Sequence, residues 1–345
     1  MKRMLLLRPV LMLVLFTASV GPMLAQDIHF SQFGNAPLNL NPGLGGIFGG
    51  DLRFVANFRS QWHSVRVPYT TYSGSVENKW YYKRGEYDRY FTGGLLLNVD
   101  KQGSLELTSL QIGIPLGITL PVAKNNFLSL GVTPAFGQRS FNSDEWSFDA
   151  QFVDCLYQPS APTMEDGSLF STNLKYFDLS SGLNYRFYAP RSRTRFDLGG
   201  ALFHVNRPNH DFWTNTGSVQ LAMRKTVYGI GLVQVTPILD ILGHIMYEEQ
   251  GGYREFLYGA GARVMVSTVP YNELAIQAFF SMRHRYTDAA IARLEFFYRT
   301  WSLGFSYDIN FSDFSIATGH RGGPEISLSY RLYKIKPVDR KCPID

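Results

Sequence analysis

The sequence has few charged residues, only two cysteines and no long apolar run beyond its N-terminal region. Charged residues make up 18% of the 345 residues, against about 25% in an average soluble domain. After the N-terminal region, no stretch reaches the roughly eighteen consecutive apolar residues of a membrane-spanning helix. Two cysteines cannot form a structural zinc site. These absences argue against a helical membrane protein and against a zinc-stabilised fold.

The net charge is also low. It is formally +5, and Lys2, Arg3 and Arg8 carry three of the positive charges. Removing these three from the 33 basic residues leaves 30 against 28 acidic residues, a net charge of +2. The remaining positive charges are dispersed, whereas a nucleic-acid-binding protein concentrates them in a patch. We therefore expect no nucleic-acid partner.

The N-terminal residues have the pattern of a secretory signal. The three basic residues precede a short apolar run at 10–16, which passes through small residues to Ala25. A basic head, a short apolar stretch and a small residue before a polar start describe a signal peptide. The run is too short for a stable membrane span. We predict a signal peptide over 1–25 and a mature chain that begins at Gln26.

Long strand patterns dominate the rest of the chain. Residues 325–333 alternate strictly between apolar and polar side chains, and residues 302–311 repeat the pattern. Because a strand has a side-chain period of two, each such segment has one apolar and one polar face. Several segments are ten or more residues long, close to the roughly nine to eleven residues that cross a bilayer at a tilt. This pattern indicates an outer-membrane β-barrel with lipid outside and water inside.

The alternation predicts an all-β, antiparallel transmembrane barrel of about fourteen strands. An even number of strands, as in bacterial single-chain barrels, places both chain ends in the periplasm. The longest irregular stretch, 139–171, is then a loop on the cell surface. A large β-sandwich is the soluble alternative, but its strands should be only about five or six residues long. The predicted strands are 52–62, 70–80, 90–98, 107–120, 127–138, 177–187, 195–205, 218–235, 238–247, 255–267, 273–283, 289–298, 301–311 and 323–334.

This topology divides the chain into four parts. They are the signal peptide 1–25, a periplasmic N-terminal segment or plug at 26–50, the outer-membrane barrel at 51–334, and a periplasmic tail at 335–345. The segment 26–50 is rich in Asn, Pro and Gly and has no clear period. Cys155 and Cys342 fall on opposite sides of the membrane in this topology, so we expect both thiols to stay unpaired although exported proteins can form disulfides.

The sequence lacks the motifs of common catalytic sites. It contains no Gly-x-Ser-x-Gly elbow and no His-Glu-x-x-His helix. His204 and His210 are possible metal ligands, but no carboxylate or cysteine pattern supports them. We predict that the protein is not an enzyme and uses no metal and no cofactor. A surface enzyme remains an alternative class.

Charged residues on the predicted strands should lie inside the barrel. Glu273 and Arg283 share one face of a strand, and Arg293, Glu295 and Arg299 share the inward face of the next. A charge on the lipid face would cost about 2–4 kcal/mol near the bilayer midplane. Because both signs interleave, we favour cross-strand ion pairs that fill the interior. A selectivity constriction in an open channel is the alternative.

Several short strings match a known family in order along the mature chain. They are Phe30-Ser31-Gln32 and Asn41-Pro42 in the N-terminal segment, Arg59 and Trp62 in the first hairpin, Asn206 and Pro208 after the seventh strand, and Glu325 in the last strand. In this combination the chain resembles the PorP/SprF family. The resemblance implies an outer-membrane component of the type IX secretion system of Gram-negative bacteria, which exports surface proteins and supports gliding.

The resemblance also implies partners. These are type IX components in the periplasm and outer membrane, and secreted surface cargo that carries C-terminal sorting domains. Our hypothesis is a docking platform, in which surface loops 139–171 and 206–217 receive cargo or a partner. The chain ends, 27–46 and 334–345, would then face the periplasmic machinery. A passive porin or small-molecule transporter is the alternative.

Overall fold

The structure, a computed structural model, describes residues 27–61, 69–83, 89–103, 107–141, 149–153, 156–162, 171–212, 219–267, 274–284, 289–312, 315 and 319–334. The predicted signal peptide, the predicted tail 335–345, both cysteines, Trp62 and Glu273 lie outside these ranges. The predictions that concern them stay predictions.

The described strands form a closed antiparallel barrel of 14 strands, which confirms the predicted fold class. The first and last strands, β1 and β17, pair along their length and close the barrel. Within the described ranges, no helix is both long enough and apolar enough to cross a membrane. The strands are β1 (Leu52–Gln61), β2 (Tyr69–Lys83), β3 (Arg89–Gln102), β4 (Leu107–Gly113), β5 (Leu116–Ala123), β6 (Asn126–Ser140), β7 (Phe152–Val153), β8 (Leu156–Tyr157), β9 (Asn173–Tyr188), β10 (Arg195–Phe203), β11 (Arg224–Gln234), β12 (Leu239–Gln250), β13 (Tyr253–Ser267), β14 (Leu274–His284), β15 (Ala289–Tyr298), β16 (Trp301–Asn310) and β17 (Arg321–Leu332).

Two of these segments share one place in the barrel, and two others lie outside it. Both β4 and β5 lie between β3 and β6 and form a single barrel strand. The break falls at Ile114-Pro115, because proline has no N–H to donate to the ladder. The short strands β7 and β8 pair with each other in the loop between β6 and β9.

Most strand boundaries differ from the predictions by a few residues, and three of the differences change a predicted feature. The predicted strand 107–120 is interrupted at Pro115, and the strand predicted from residue 218 begins at Arg224. The residues before Arg224 pair with the preceding loop instead, since the N–H of Leu221 donates to the carbonyl oxygen of Pro208 at 2.9 Å. The predicted surface loop 139–171 also begins later, because β6 continues to Ser140. Arg139 therefore lies on a barrel wall, where it is buried.

The two faces of the strands differ in polarity as the alternation predicts. In β17, Ile326 and Leu328 are 38% and 39% exposed on the outer surface, whereas Glu325 and Ser327 are 1% and 4% exposed and point inward. The same division holds along β16, where Phe305, Tyr307 and Ile309 are exposed. The outer surface is therefore apolar and the inner wall polar.

Residues 27–50, called the interior segment below, run through the barrel. The side chain of Asp27 contacts His204, at the end of the barrel where the long loops leave. Gly50 lies at the opposite end, beside the last residue of β17, Leu332. Between them are a 3-10 turn (Phe33–Asn35), helix α1 (Pro37–Leu40) and a second 3-10 turn (Pro42–Leu44).

Of the two alternatives predicted for 26–50, this path fits a plug and not a segment whose residues 27–46 face the periplasmic machinery. They lie inside the barrel, and Asp27 and Lys334 stand at opposite ends of it, since the N–H of Lys334 donates to Asp51 just before β1. The physical reason is burial. The segment carries apolar side chains that the lumen removes from water, among them Phe30, Phe33 and Leu38 at 2–4% exposure.

An apolar cluster forms where the interior segment meets the wall. Eight residues with 0–6% exposure contribute to it. Four come from the interior segment and four from the strands β11, β12, β13 and β15, so the barrel has a small hydrophobic core of its own. They are Phe33, Leu40, Leu44, Ile47, Tyr228, Met246, Leu257 and Ile291.

Glycines in the wall allow the second turn of the interior segment to approach the strand backbones. A Cβ atom added at Gly131 of β6 would lie 2.1 Å from the carbonyl oxygen of Pro42. One added at Gly182 of β9 would lie 1.8 Å from Oδ1 of Asn41. Only a residue without a side chain fits this close contact. Gly131 and Gly182 therefore form the surface on which the second 3-10 turn packs, called the docking floor below.

We expect Gly131→Val to displace the turn and to lower the free energy of unfolding by roughly 1–3 kcal/mol or more, the range for overpacking. Urea unfolding in lipid vesicles measures this change. Gly74→Val is the matched control, because a Cβ atom at Gly74 in β2 meets nothing within 4 Å. Equal stability of the two variants would contradict the docking floor.

Candidate functional site

The carboxylate of Glu325 holds the start of the interior segment. The backbone N–H of Ser31 donates to its Oε2 at 2.8 Å, and that of Gln32 donates to its Oε1 at 2.9 Å. The side-chain amide of Gln32 also donates to the backbone carbonyl of Glu325 at 3.1 Å. All three residues are at most 1% exposed. A buried carboxylate needs such charge-assisted donors, because without partners its burial is very costly.

Arg59 supplies the opposite charge from the neighbouring strand. It lies directly across from Glu325 in the β1–β17 pair, with its Nη1 3.6 Å from Glu325 Oε2 and its Nη2 2.9 Å from Asp308 Oδ2. Its guanidinium also donates to the backbone carbonyl of His29 at 2.9 Å. Arg59 therefore joins both ends of the barrel sheet and the interior segment.

Arg283 completes this group. Its Nε lies 2.7 Å from Glu255 Oε1, and its Nη1 lies 3.2 Å from Asp308 Oδ2. The hydroxyl of Ser31 donates to Asp308 at 2.7 Å and accepts from Arg283 at 3.0 Å. Two arginines, three carboxylates and the Ser31–Gln32 backbone thus form one buried unit, which we call the Glu325 cluster (Arg59, Glu255, Arg283, Asp308 and Glu325).

Of the other charged residues predicted to line the lumen, Arg293 and Glu295 lie in the barrel interior and Arg299 lies in a turn. Nε of Arg293 lies 3.0 Å from Glu295 Oε1, and the same Glu295 oxygen accepts from the side chain of Asn35 at 2.9 Å. Arg299 does not share this inward face. Its strand ends at Tyr298, and Arg299 occupies the exposed turn before β16 with a φ of 55°. The alternation does not continue through a hairpin turn, so the prediction for Arg299 is wrong.

The Asn41-Pro42 string makes a second attachment. Asn41 Nδ2 donates to the carbonyl of Leu183 at 2.9 Å and to the hydroxyl of Tyr228 at 3.0 Å. Its Oδ1 accepts from the N–H of Gly43 at 2.7 Å and so caps the turn that Pro42 begins. These bonds fix the turn on its docking floor.

A third attachment lies at the loop end of the barrel. Nε2 of His204 lies 2.7 Å from Asp27 Oδ2, and Nδ1 lies 2.9 Å from Asp178 Oδ1. Burial lowers the pKa of His204, but the charge of Asp27 and hydrogen bonds to Asp178 and Asp27 outweigh it and raise the pKa to about 9. Partial burial opposes ionisation of Asp27, but His204 and Arg224 hold the pKa of its carboxyl well below the usual range. A protonated His204 thus bridges two carboxylates.

The remaining residues of the short strings that resemble the family lie elsewhere in the structure. Asn206 is an exposed loop residue whose side chain bonds to the backbone of Phe177 and Leu179 at 2.7 and 3.0 Å. Pro208 lies in the same loop, and Phe30 is buried in the interior segment. The structure therefore brings Ser31, Gln32, Arg59, Arg283 and Glu325 together, and it leaves Asn206 and Pro208 outside their cluster.

Sequence reasoning missed Asp308 and Glu255. Both stand on the polar face of an alternating strand, which signals that they point inward. Their partners depend on which strands are neighbours and on the height of each residue in the wall. Within the described ranges, no group of three or more His, Cys, Asp or Glu residues is arranged to hold a metal ion.

Comparison with known families bears on this arrangement. A family model described as type IX secretion system membrane protein PorP/SprF matches residues 23–330. The chain belongs to the PorP/SprF family. It is an outer-membrane β-barrel and a component of the type IX secretion system. No curated protein matches the chain.

Solved structures of outer-membrane barrels resemble the fold at low sequence identity. The toluene transporter TbuX of Ralstonia pickettii has a TM-score of 0.50 and 12% identity, covering 87% of this chain and 94% of that one. The toluene transporter TodX of P. putida scores 0.47 at 9% identity, covering 88% and 95%. BamA of Haemophilus ducreyi lacking POTRA domains 1-3 scores 0.43 at 10% identity, covering 81% and 70%. At such identities the likeness shows the fold alone.

We expect Glu325→Gln to lower the free energy of unfolding by roughly 1–3 kcal/mol, because the amide keeps one acceptor oxygen and leaves one of the buried N–H groups of Ser31 and Gln32 without its partner. Urea unfolding in lipid vesicles measures the loss, and limited proteolysis should cut the interior segment earlier than in the wild type. The control is Glu249→Gln, whose partner Arg254 is 69% exposed, with an expected change under about 1 kcal/mol. A wild-type stability for Glu325→Gln would contradict the role of the cluster.

The raised pKa of His204 predicts a pH dependence. The folded-state pKa of about 9 exceeds the unfolded value of about 6.5, so the stabilisation is complete below pH 6.5 and is lost as the pH rises through 9. We expect the stability difference between wild type and His204→Gln to be at most about 3 kcal/mol at pH 6 and to shrink by pH 10. The matched control is His320→Gln, at an exposed histidine that contacts the backbone carbonyl of Asn310. A difference that grows with pH would refute the assignment.

Proposed function

We propose that this protein is a non-enzymatic docking platform for secreted cargo at the outer membrane. The observation that carries the proposal is the filled lumen. Residues 27–50 cross it from one end to the other and are held by the Glu325 cluster, the Asn41 contacts and the Asp27–His204 pair. Even an eighteen-strand porin passes only small solutes. A barrel of 14 strands with an occupied interior therefore suits binding better than protein passage.

The loops at the Asp27 end supply a surface for docking. The loops after β6 and β10 contact each other, since the N–H of Ser171 donates to the carbonyl of Phe212 at 2.7 Å and the rings of Phe141 and Phe212 are 5.0 Å apart. The β7–β8 hairpin in the first loop exposes Phe152 by 54% and Leu156 by 68%. Exposed apolar side chains clustered outside the membrane are typical of a protein-binding surface.

The proposal assigns the two ends of the barrel different partners. Cargo with a C-terminal sorting domain binds the loops at the cell surface, and type IX components bind the periplasmic end. In this orientation residues 51–334 are the membrane barrel and 335–345 the periplasmic tail. Residues 27–46 lie inside the barrel, so the periplasmic contact falls to the tail and the short turns rather than to the N-terminal segment.

The alternative is a passive porin or small-molecule transporter. TbuX and TodX are toluene transporters, and this chain resembles TbuX in its barrel fold. A porin needs an open path through the lumen, and the interior segment occupies that path. Planar-bilayer recordings of the wild type distinguish the two functions, because a steady, solute-selective conductance would support the porin and count against the platform.

We expect Phe152→Ser combined with Leu156→Ser to reduce surface display of sorted cargo at least tenfold while the barrel stays assembled. Cell-surface labelling of cargo measures display, and the heat-dependent gel mobility of the barrel checks assembly. The control is Tyr188→Ser, a residue 37% exposed at the other end of the barrel, which should leave display unchanged. Normal display in a deletion strain would overturn the secretion role altogether.

A further inference from the structure

A cavity of about 500 Å³ lies between the interior segment and the barrel end opposite Asp27. Gly34, Pro37, Leu44 and Ile47 of the interior segment close its inner side. Its wall is rich in arginine and, among the described residues, has only Asp197 and Glu295 as carboxylates. We call it the arginine chamber. Its seven arginines are Arg53, Arg186, Arg193, Arg195, Arg263, Arg293 and Arg331.

Four of these arginines already have an acidic partner. The nitrogen–oxygen distances are 2.7 to 3.0 Å. Each pair uses a different carboxylate, so these four acids are committed and cannot neutralise further positive charge at short range. The pairs are Arg53–Glu77, Arg186–Asp197, Arg193–Asp240 and Arg293–Glu295.

Arg195 and Arg331 are different. Both are partly buried and line the chamber. Within the part of the chain that the structure describes, neither has a carboxylate within the 4.0 Å of an ion pair. Arg263 lines the chamber as well, where it donates to Gln277 and lies 4.3 Å from the ring of Phe297. Partly buried cations without counter-charge are unfavourable, and Arg195 and Arg331 therefore make the chamber attractive to anions.

The chemistry of the wall selects the kind of anion. A guanidinium presents a planar fork of N–H groups that matches the two oxygens of a carboxylate or phosphate. Two such forks in one cavity favour a ligand with at least two oxyanion groups. The cavity volume of about 500 Å³ falls within the roughly 300–1,000 Å³ of small-molecule sites.

We propose that the arginine chamber is a binding site for a small multivalent oxyanion, which Arg195 and Arg331 hold by paired hydrogen bonds. The anion enters from the barrel end at which Lys334 leaves. Because the interior segment closes the other side, the chamber is a blind site and not part of a conduction path. This proposal does not depend on the docking function.

Titration calorimetry of the full-length protein in detergent tests the site. Inorganic triphosphate and citrate serve as probes at fixed ionic strength, with sodium chloride as the baseline. We expect saturable binding of at least one probe and a loss of affinity of at least tenfold in the Arg195→Gln, Arg331→Gln double variant. A preference for triphosphate identifies a phosphoryl ligand, and a preference for citrate identifies a carboxylate ligand. The matched control is Arg321→Gln, at an exposed arginine of the opposite end.

Thermal unfolding separates a binding role from a structural one. Ligand that binds only the folded state raises its stability, so the probe that binds should raise the unfolding temperature of the wild type. The double variant should lose this response, yet without anion it should be at least as stable as the wild type because repulsion between cations is relieved. Heat no greater than the chloride baseline, or equal binding by the double variant, would overturn the proposal.

Discussion

The carboxylate of Glu325 joins three parts of the chain that are far apart in sequence. It accepts the backbone N–H groups of Ser31 and Gln32, it belongs to the last strand, and it faces Arg59 on the first strand. The barrel closes where those two strands meet, so one buried group links closure of the wall to the path of the interior segment. An unpaired buried charge is costly. If the β1–β17 pair or the interior segment moved, buried charges that now contact each other would lose their partners. The two parts therefore hold each other in place.

The outer surface explains why the interior is so polar. Strands in a bilayer must present apolar side chains to lipid, and the period of two then directs every second residue inward. Charges placed there need partners, because water and counter-ions are largely displaced by the interior segment. Backbone N–H groups, the side chains of Ser31 and Asn35, and cross-strand pairs supply these partners. The apolar cluster around Phe33 and Leu257 adds hydrophobic burial to the same interface. The interior segment and the barrel wall therefore stabilise each other.

The sequence was sufficient for the fold but only in part for the site. The alternation of apolar and polar side chains located all fourteen barrel strands because it shows directly which face of each strand is polar. It failed where the backbone leaves the strand conformation, at Pro115 and at Arg299. The short strings drew attention to Ser31, Gln32, Arg59 and Glu325, but not to Asp308 or to the way these residues meet. That meeting depends on the register between strands that are far apart in the chain, as for Arg59 and Glu325 on the first and last strands, and a one-dimensional period carries no information about it. The sequence offered a plug only as one of two alternatives for residues 26–50, since short 3-10 turns leave no periodic signal that would decide between them.

The two ends of the lumen have opposite character, and this limits how the protein can work. Near the loops, the Glu325 cluster sets three carboxylates against two arginines, while at the other end the seven arginines of the chamber meet the four carboxylates that pair with four of them. The interior segment separates the two. Withdrawing it would break charge-assisted hydrogen bonds worth roughly 1.5–3 kcal/mol each and expose Phe33, Leu40 and Leu44 at about 1.5–3 kcal/mol apiece. Thermal motion does not supply energy on that scale, so an open channel would require a partner whose binding replaces these contacts. A partner that binds the loops alone replaces none of them. In the proposed docking role, binding at the loop surface leaves the lumen closed, and the barrel serves as a rigid support whose surfaces, rather than its pore, meet other proteins.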